Sequence, residues 1–254
     1  MLQLLQQNEV AVSYPIANHS GHFINAFQAP EGLRYAALFY FAKGHKILHF
    51  DKEAHFKIGR LMAKIHKITT GIQLNRITYS SDVLLNQSLH HIKQFLPENT
   101  EEMQFLMATR PILEKKLLNA SHSQLRKGIV HMDIWFDNLN IADKNKVTLF
   151  DFDFCGNGWL CLDIAYYILQ LHSTEKDDTE RDIKMEAFYK GYETIAKIND
   201  EERYLIPPLG VCMYYFYLGV QCSRFENWSN TFVNEVYLKR FISVLIKGYY
   251  EKMN

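Results

Sequence analysis

One short hairpin in an otherwise helical stretch sets the limits on what this chain can become. Leu139 to Ile141 and Val147 to Phe150 are apolar, β-prone runs on either side of the polar turn Asp143-Lys144-Asn145-Lys146. Two such runs around a turn predict an antiparallel pair. Acids and an amide crowd its open end: Val130-His131-Met132-Asp133-Ile134-Trp135-Phe136-Asp137-Asn138 leads in, and Phe150-Asp151-Phe152-Asp153 leads out. Paired strands run only about 5 Å apart, so the hairpin is expected to bring Asp133, Asn138 and Asp151 toward one point.

That set of groups suits one chemistry. Carboxylate and amide oxygens are hard ligands of the kind Mg²⁺ takes, usually one or two carboxylates completed by phosphate oxygens and water. Phosphoryl transfer asks a protein mainly for positioning and for neutralised phosphate charge. A carboxylate near the acceptor hydroxyl orients it and takes its proton, while an Asn and a second Asp hold the metal. In kinase-type loops the base Asp is followed five positions later by the metal Asn, and Asp133 to Asn138 has that interval. His-x-Asp or Asp-x-Asp alone is a weak signal; the two together, with the Asn in register and strands between, are specific.

The rest of the chain frames the hairpin. Ala11–Ala17, Gly21–Gln28 and Leu33–Phe41 read as strands of a small antiparallel meander, with Asn18-His19-Ser20-Gly21 and Ala29-Pro30-Glu31-Gly32 as turns. Helical spacing begins after Asp51, a candidate N-cap, with Ala54, Ile58, Leu61 and Ile65 on one face. Asp82–Leu96 is a second expected helix, stopped by Pro97, and Thr100 caps a third that runs to about Ala120. Gly128–Val130 is a strand leading into His131. After Trp159 the sequence reads as helical, near 162–173, 178–197, 201–225 and 231–252.

His131-x-Asp133-x-x-x-x-Asn138, an apolar strand into Asp151-Phe152-Asp153, and then Asp163-Ile164-Ala165 resemble the aminoglycoside phosphotransferase/choline kinase-like family. The chain looks closest to its branch of type II homoserine kinases and bacterial stress-response Ser/Thr kinases. The resemblance runs from about Leu5 to the C-terminus and is most specific between Val130 and Ala165. It implies an α+β, protein-kinase-like fold. Residues 1–44 would be a truncated, β-rich N-lobe with its hinge, and 45–254 a mostly helical C-lobe carrying the catalytic hairpin. It implies ATP and Mg²⁺ as cofactors, Asp133 as base, His131 as the residue holding the loop backbone, and Asn138 and Asp151 as metal ligands assisted by Asp153. Asp163 would cap or anchor the following helix. The backbone of Tyr40, Phe41 and Ala42 would meet the adenine ring.

The departure from that family lies at the start of the chain. Met1–Leu5 reads as beginning inside or just after the helix that normally follows the phosphate-binding Lys, and no Gly-rich phosphate loop precedes it. Gly156-Asn157-Gly158 lies after the metal Asp and lacks the Gly-Lys-Ser/Thr of a P-loop. Lys43 and Lys46 are the substitutes at hand. Met132 replaces the Gly common in the family's His-Gly-Asp. Without the phosphate clamp, the alternative reading is a catalytically impaired remnant that binds nucleotide or a partner; a Ser/Thr protein kinase is the second alternative. A haloacid-dehalogenase-type phosphatase is disfavoured, because Cys155 stands where that signature wants Thr or Val and the later sequence is helical.

Trp135, Tyr214, Arg224 and Trp228 are the acceptor-binding candidates. Arg224 would pair a carboxylate through its planar fork, which favours a small amino-acid or amino-alcohol-like hydroxyl substrate over an aminoglycoside. Lys+Arg 28 against Asp+Glu 28 gives zero net charge, not the basic excess of a nucleic-acid binder. Four scattered cysteines predict buried thiols and a reducing, cytoplasmic setting. The apolar run 204–222 contains two prolines and several tyrosines, which predicts a buried helix and no membrane span. Oligomeric state is not legible.

Overall fold

The structure, a computed structural model, describes residues 1–143 and 146–253. Lys144 and Asn145 of the expected turn, and Asn254, lie outside the described residues. The chain divides into two compact units, each assembled from three segments. The first comprises Met1–Ile68, Asp133–Phe154 and Ile183–Lys197; the second comprises Thr69–Met132, Cys155–Asp182 and Ile198–Asn254.

The first unit opens with α1 (Leu2–Gln7), then β1 (Pro15–Ile16), β2 (Asn25–Ala29), β3 (Gly32–Ala36) and β4 (Leu38–Phe39). The expected meander is instead one ribbon nested inside another. β2 pairs with β3 across the two-residue turn at Pro30-Glu31, while β1 reaches over that hairpin to pair with β4. Gly32, at φ +117°, permits the tight turn. Phe27, Leu33, Tyr35, Leu38 and Phe41 in this stretch are exposed.

Helix α2 (Lys52–Thr69) starts where Asp51 was expected to cap it, the Ala54 N–H donating to Asp51 Oδ1 at 2.8 Å. It packs on α6 (Asp178–Glu193) through two glycines. A Cβ added to Gly59 would lie 2.1 Å from the Phe188 carbonyl oxygen, and one added to Gly191 would lie 1.9 Å from that of Phe56. The helices therefore meet backbone to backbone. Further along, buried His66 Nδ1 and the Tyr192 hydroxyl lock the pair at 2.8 Å. The expected hairpin is also here: β6 (Leu139–Ala142) pairs with β7 (Lys146–Leu149), Leu139 opposite Leu149.

The second unit is helical around α7 (Asp200–Ser223), whose start is a capping box of Asn199 with Glu202. Its apolar length and composition would allow a membrane crossing, but 78% of the apolar window is buried in this unit. α7 packs on α3 (Ser88–Ile92) and α5 (Cys161–Thr174). The expected helix at Asp82–Leu96 begins with a π-helical turn, Asp82–Gln87, before α3. α4 (Glu101–Leu118) is capped by Thr100 as expected. The final helical stretch is α8 (Glu235–Arg240), a π-helical segment Phe241–Ile246, and α9 (Lys247–Met253). Fully buried Glu202 is held by a two-point fork from Arg126, Nε to Oε1 and Nη2 to Oε2, both 2.8 Å.

One strand was not foreseen. β5 (Lys127–Val130) pairs with β8 (Gly156–Trp159), so the close glycine pair belongs to a strand. A Cβ at Gly156 would meet the Ile77 carbonyl oxygen at 2.7 Å, and one at Gly158 a Leu162 methyl at 2.9 Å. Between them, the Asn157 side chain binds the Leu74 N–H and the carbonyls of Leu74 and Arg76. Too little side chain remains for period-2 alternation to show. All four cysteines are buried thiols, as expected, and burial pushes those of Cys155 and Cys222 up to about 12.

Gly191→Ala tests the glycine crossing. Ala is the better helix former by about 1 kcal/mol, yet forcing α2 and α6 apart costs roughly 1–3 kcal/mol. Chemical denaturation is expected to give a net loss of stability; an unchanged or raised midpoint would contradict the backbone contact.

Candidate active site

Asp133, Asn138, Asp151 and Asp153 all belong to the first unit, and the hairpin register explains their placement. With Leu139 opposite Leu149, the ladder continues one step beyond the strands: the Phe150 N–H donates to the Asn138 carbonyl at 3.1 Å. Asn138 and Asp151 thus end the two arms at the open end. Asn138 sits in a 3₁₀ turn, Phe136–Asn138, and is buried at 6% exposure. Its amide nitrogen donates to the Asp133 carboxylate Oδ2 at 2.7 Å and to the Asp133 carbonyl at 2.9 Å. That orientation leaves Asn138 Oδ1 as an acceptor, while Asp133 and Asp151 keep contact with solvent.

The turn at Asp151 is left-handed, φ +61°, a conformation Asp tolerates better than most residues. The Asp153 N–H approaches Asp151 Oδ1 at 3.4 Å. Among the described residues no three His, Cys, Asp or Glu side chains gather as a closed metal cage. The donor set is two carboxylates and an amide oxygen, which fits a Mg²⁺ ion that takes the rest of its shell from phosphate oxygens and water.

The loop that delivers Asp133 is built in the second unit. Asp163, fully buried in the first turn of α5, accepts from the His131 N–H at 2.9 Å and the Met132 N–H at 2.7 Å. It anchors the loop that precedes the hairpin; the N-cap of α5 is Leu160. The Met132 carbonyl accepts from the Tyr217 hydroxyl, and Tyr217 stacks on Tyr166 at 5.0 Å. Met132, at φ +68° and fully buried, is therefore held from both sides in a conformation disfavoured for its side chain. This is where the family's loop carries Gly. His131 is fully buried.

The remaining candidates are placed as follows. The Ala42 carbonyl accepts from Asn140 of β6 at 2.6 Å, Tyr40 stacks on Tyr14 at 5.2 Å, and Phe41 is 75% exposed. Trp135 is half-buried against Phe136. In the second unit the Arg224 guanidinium lies 4.4 Å over the Trp228 ring, a cation–π pair at the end of α7. Tyr214 is buried edge-on to Phe241 and Tyr249.

Lys46 was named only as a possible substitute. In the first unit its ammonium lies 3.4 Å from Asp137 Oδ1 and 5.6 Å from the centre of the Phe150 ring, beside the residues that immediately precede Asn138 and Asp151. No spacing rule links position 46 to 137 and 150. The link is tertiary: His45 bridges Ile141 of β6 by two backbone hydrogen bonds, and Gly44 at φ +107° lets the chain pass that close.

Residues 1–198 match the protein family described as the phosphotransferase enzyme family. The amicoumacin kinase of Bacillus subtilis is 26% identical over 72% of this chain and 56% of its own length. The homoserine kinase of Polaromonas naphthalenivorans is 22% identical over 82% and 64%. The chain thus spans less than two thirds of the length of these relatives. A solved amicoumacin kinase, in complex with AMP-PNP, Ca²⁺ and Ami, superposes with a TM-score of 0.75 at 18% identity, covering 97% of this chain and 75% of that one. The architecture is accordingly that of the kinase-like phosphotransferases.

Position 132 offers a test of the clamped loop. Met132→Ala should cost about 2–5 kcal/mol for the lost buried side chain while leaving the left-handed strain in place. Met132→Gly loses one carbon more but relieves strain of about 1–2 kcal/mol. The Gly variant is expected to be the more stable of the two by urea denaturation, the reverse of the usual order. Ala above Gly would mean that position 132 does not hold a positive φ.

Proposed function

Because the chain belongs to the phosphotransferase enzyme family, we propose that it moves the terminal phosphoryl group of ATP to a hydroxyl of a small molecule. The observation that carries this reading is the Asp133 carboxylate, fixed at 2.7 Å by the Asn138 amide at the mouth of the hairpin whose other arm ends in Asp151. Asp133 orients the acceptor hydroxyl and takes its proton as the oxygen attacks phosphorus; the bond from that phosphorus to the bridging oxygen breaks, and ADP leaves with the electron pair. Asn138 Oδ1 and the Asp151 carboxylate, with Asp153 near, would hold Mg²⁺, which when bound neutralises phosphate oxygens. His131 positions the loop.

Lys46 supplies the positive charge that this reading needs. Its flexible stem and its place beside Asp137 and Phe150 let the ammonium leave an exposed ion pair, worth little in water, for a phosphate oxygen. The adenine is assigned to the backbone of Tyr40, Phe41 and Ala42. For the acceptor, Trp135 is a proposed contact in the first unit, and Arg224 with Trp228 is the proposed carboxylate-binding pair in the second; Tyr214 is buried against Phe241 and Tyr249. Arg224, already oriented by Trp228, favours a carboxylate-bearing or amino-alcohol-like molecule. The named activities of the relatives, on homoserine and on amicoumacin, support a small hydroxyl acceptor of that kind.

The test is ATP turnover with Mg²⁺ across hydroxy amino acids, amino alcohols and aminoglycosides. Asp133→Asn should lower kcat about 10²–10⁴-fold, and Lys46→Met about 10²-fold, without unfolding either variant. Turnover that Asp133→Asn leaves unchanged, or no turnover with any acceptor, overturns the reading; unchanged turnover in Lys46→Met removes that residue from it.

A further inference from the structure

Nine residues beyond Asp163, roughly 13 Å along α5 at helical rise, His172 lines a cavity of about 180 Å³ in the second unit. Lys176, Arg181 and Lys252 share its walls, against a single acidic lining residue, Glu175. Arg181 is only 7% exposed. Among the described residues, the two buried side-chain polar atoms without a hydrogen-bond partner are His172 Nδ1 and Arg181 Nε. Native interiors rarely leave such atoms unpaired, and here two of them belong to the walls of one cavity.

The acids nearby answer only part of that demand. Asp178 pairs with Arg181 Nη1 and lies 3.6 Å from Lys252 Nζ, but its side chain is 71% exposed and does not line the cavity. Asp182 is 3.9 Å from Arg181 Nη2 and 73% exposed, and Lys176 donates to the Ser173 carbonyl. Burial first, then Arg181 and Lys252, hold the His172 imidazole down to about 4, outweighing the pull of Asp182 and Asp178. At Gly248, on the cavity wall, an added Cβ meets nothing within 4 Å, so the space is open.

We propose that this cavity binds a small dianionic oxyanion of the phosphate-monoester class, seated between His172 and Arg181. Its oxygens accept from the guanidinium Nε–H and from the imidazole in its Nδ1–H tautomer, and Lys176 and Lys252 balance its charge. A dianion suits walls carrying three full positive charges against one negative better than a chloride ion does. The site lies a helix length along α5 from Asp163.

Sulfate, a dianion at all neutral pH values, is the probe, and no nucleotide or acceptor is needed, so the outcome is independent of transferase activity. Excess sulfate is expected to raise the melting temperature by about 3 °C more than sodium chloride at equal ionic strength. Arg181→Met should abolish that difference by removing the central donor. Gly248→Leu should also abolish it by filling the open space while leaving every charge in place. Equal stabilisation by sulfate and chloride, or a sulfate effect that survives in both variants, overturns the proposal.

Discussion

Two hydrogen bonds to one carboxylate hold the loop before Asp133 in shape. Asp163 is buried in the first turn of α5, where the helix dipole favours its charge, and it spends both oxygens on the amides of His131 and Met132. The Tyr217 hydroxyl takes the Met132 carbonyl from the other side. With its amide and its carbonyl both engaged, Met132 can remain at a positive φ that an isolated chain would leave. The direction in which the backbone delivers Asp133 is a consequence. In the proposed mechanism, the base Asp133 is the residue that follows this clamp in the chain.

Close backbone approaches do comparable work elsewhere. Gly59 and Gly191 let two helices of the first unit touch main chain to main chain, and Gly156 and Gly158 let β8 lie against the 74–79 segment and Leu162. In each case a missing Cβ makes room for a neighbour rather than for a ligand. Gly156 and Gly158, which lack the Gly-Lys-Ser/Thr of a P-loop, have a packing role.

The hairpin, the helix caps at Asp51 and Thr100, the buried thiols and the buried helix around 204–222 were legible because each rests on local signals: alternation, a capping side chain, an apolar run. The interval from Asp133 to Asn138 was legible for the same reason, since a 3₁₀ turn and one strand end connect them directly. Four features were not. β8 is half glycine and shows no alternation. The nested pairing of β1 with β4 around β2–β3 is a long-range choice that turn residues do not encode. Lys46 reaches Asp137 and Phe150 only because β6 docks on His45, and the partner of Asp163 lies thirty-one residues back at Met132. Local chemistry announces a residue's type; tertiary pairing decides which neighbour it serves.

The central claim is that Asn138 and Asp151 complete a cation site only when phosphate is present. Electron paramagnetic resonance of Mn²⁺ titrated into the protein tests it most directly, with and without ADP. The account predicts weak Mn²⁺ binding to the protein alone, markedly tighter binding with ADP, and loss of the ADP-dependent gain in Asp151→Ala. Tight Mn²⁺ binding without nucleotide, or an ADP-dependent gain that persists in Asp151→Ala, would contradict it.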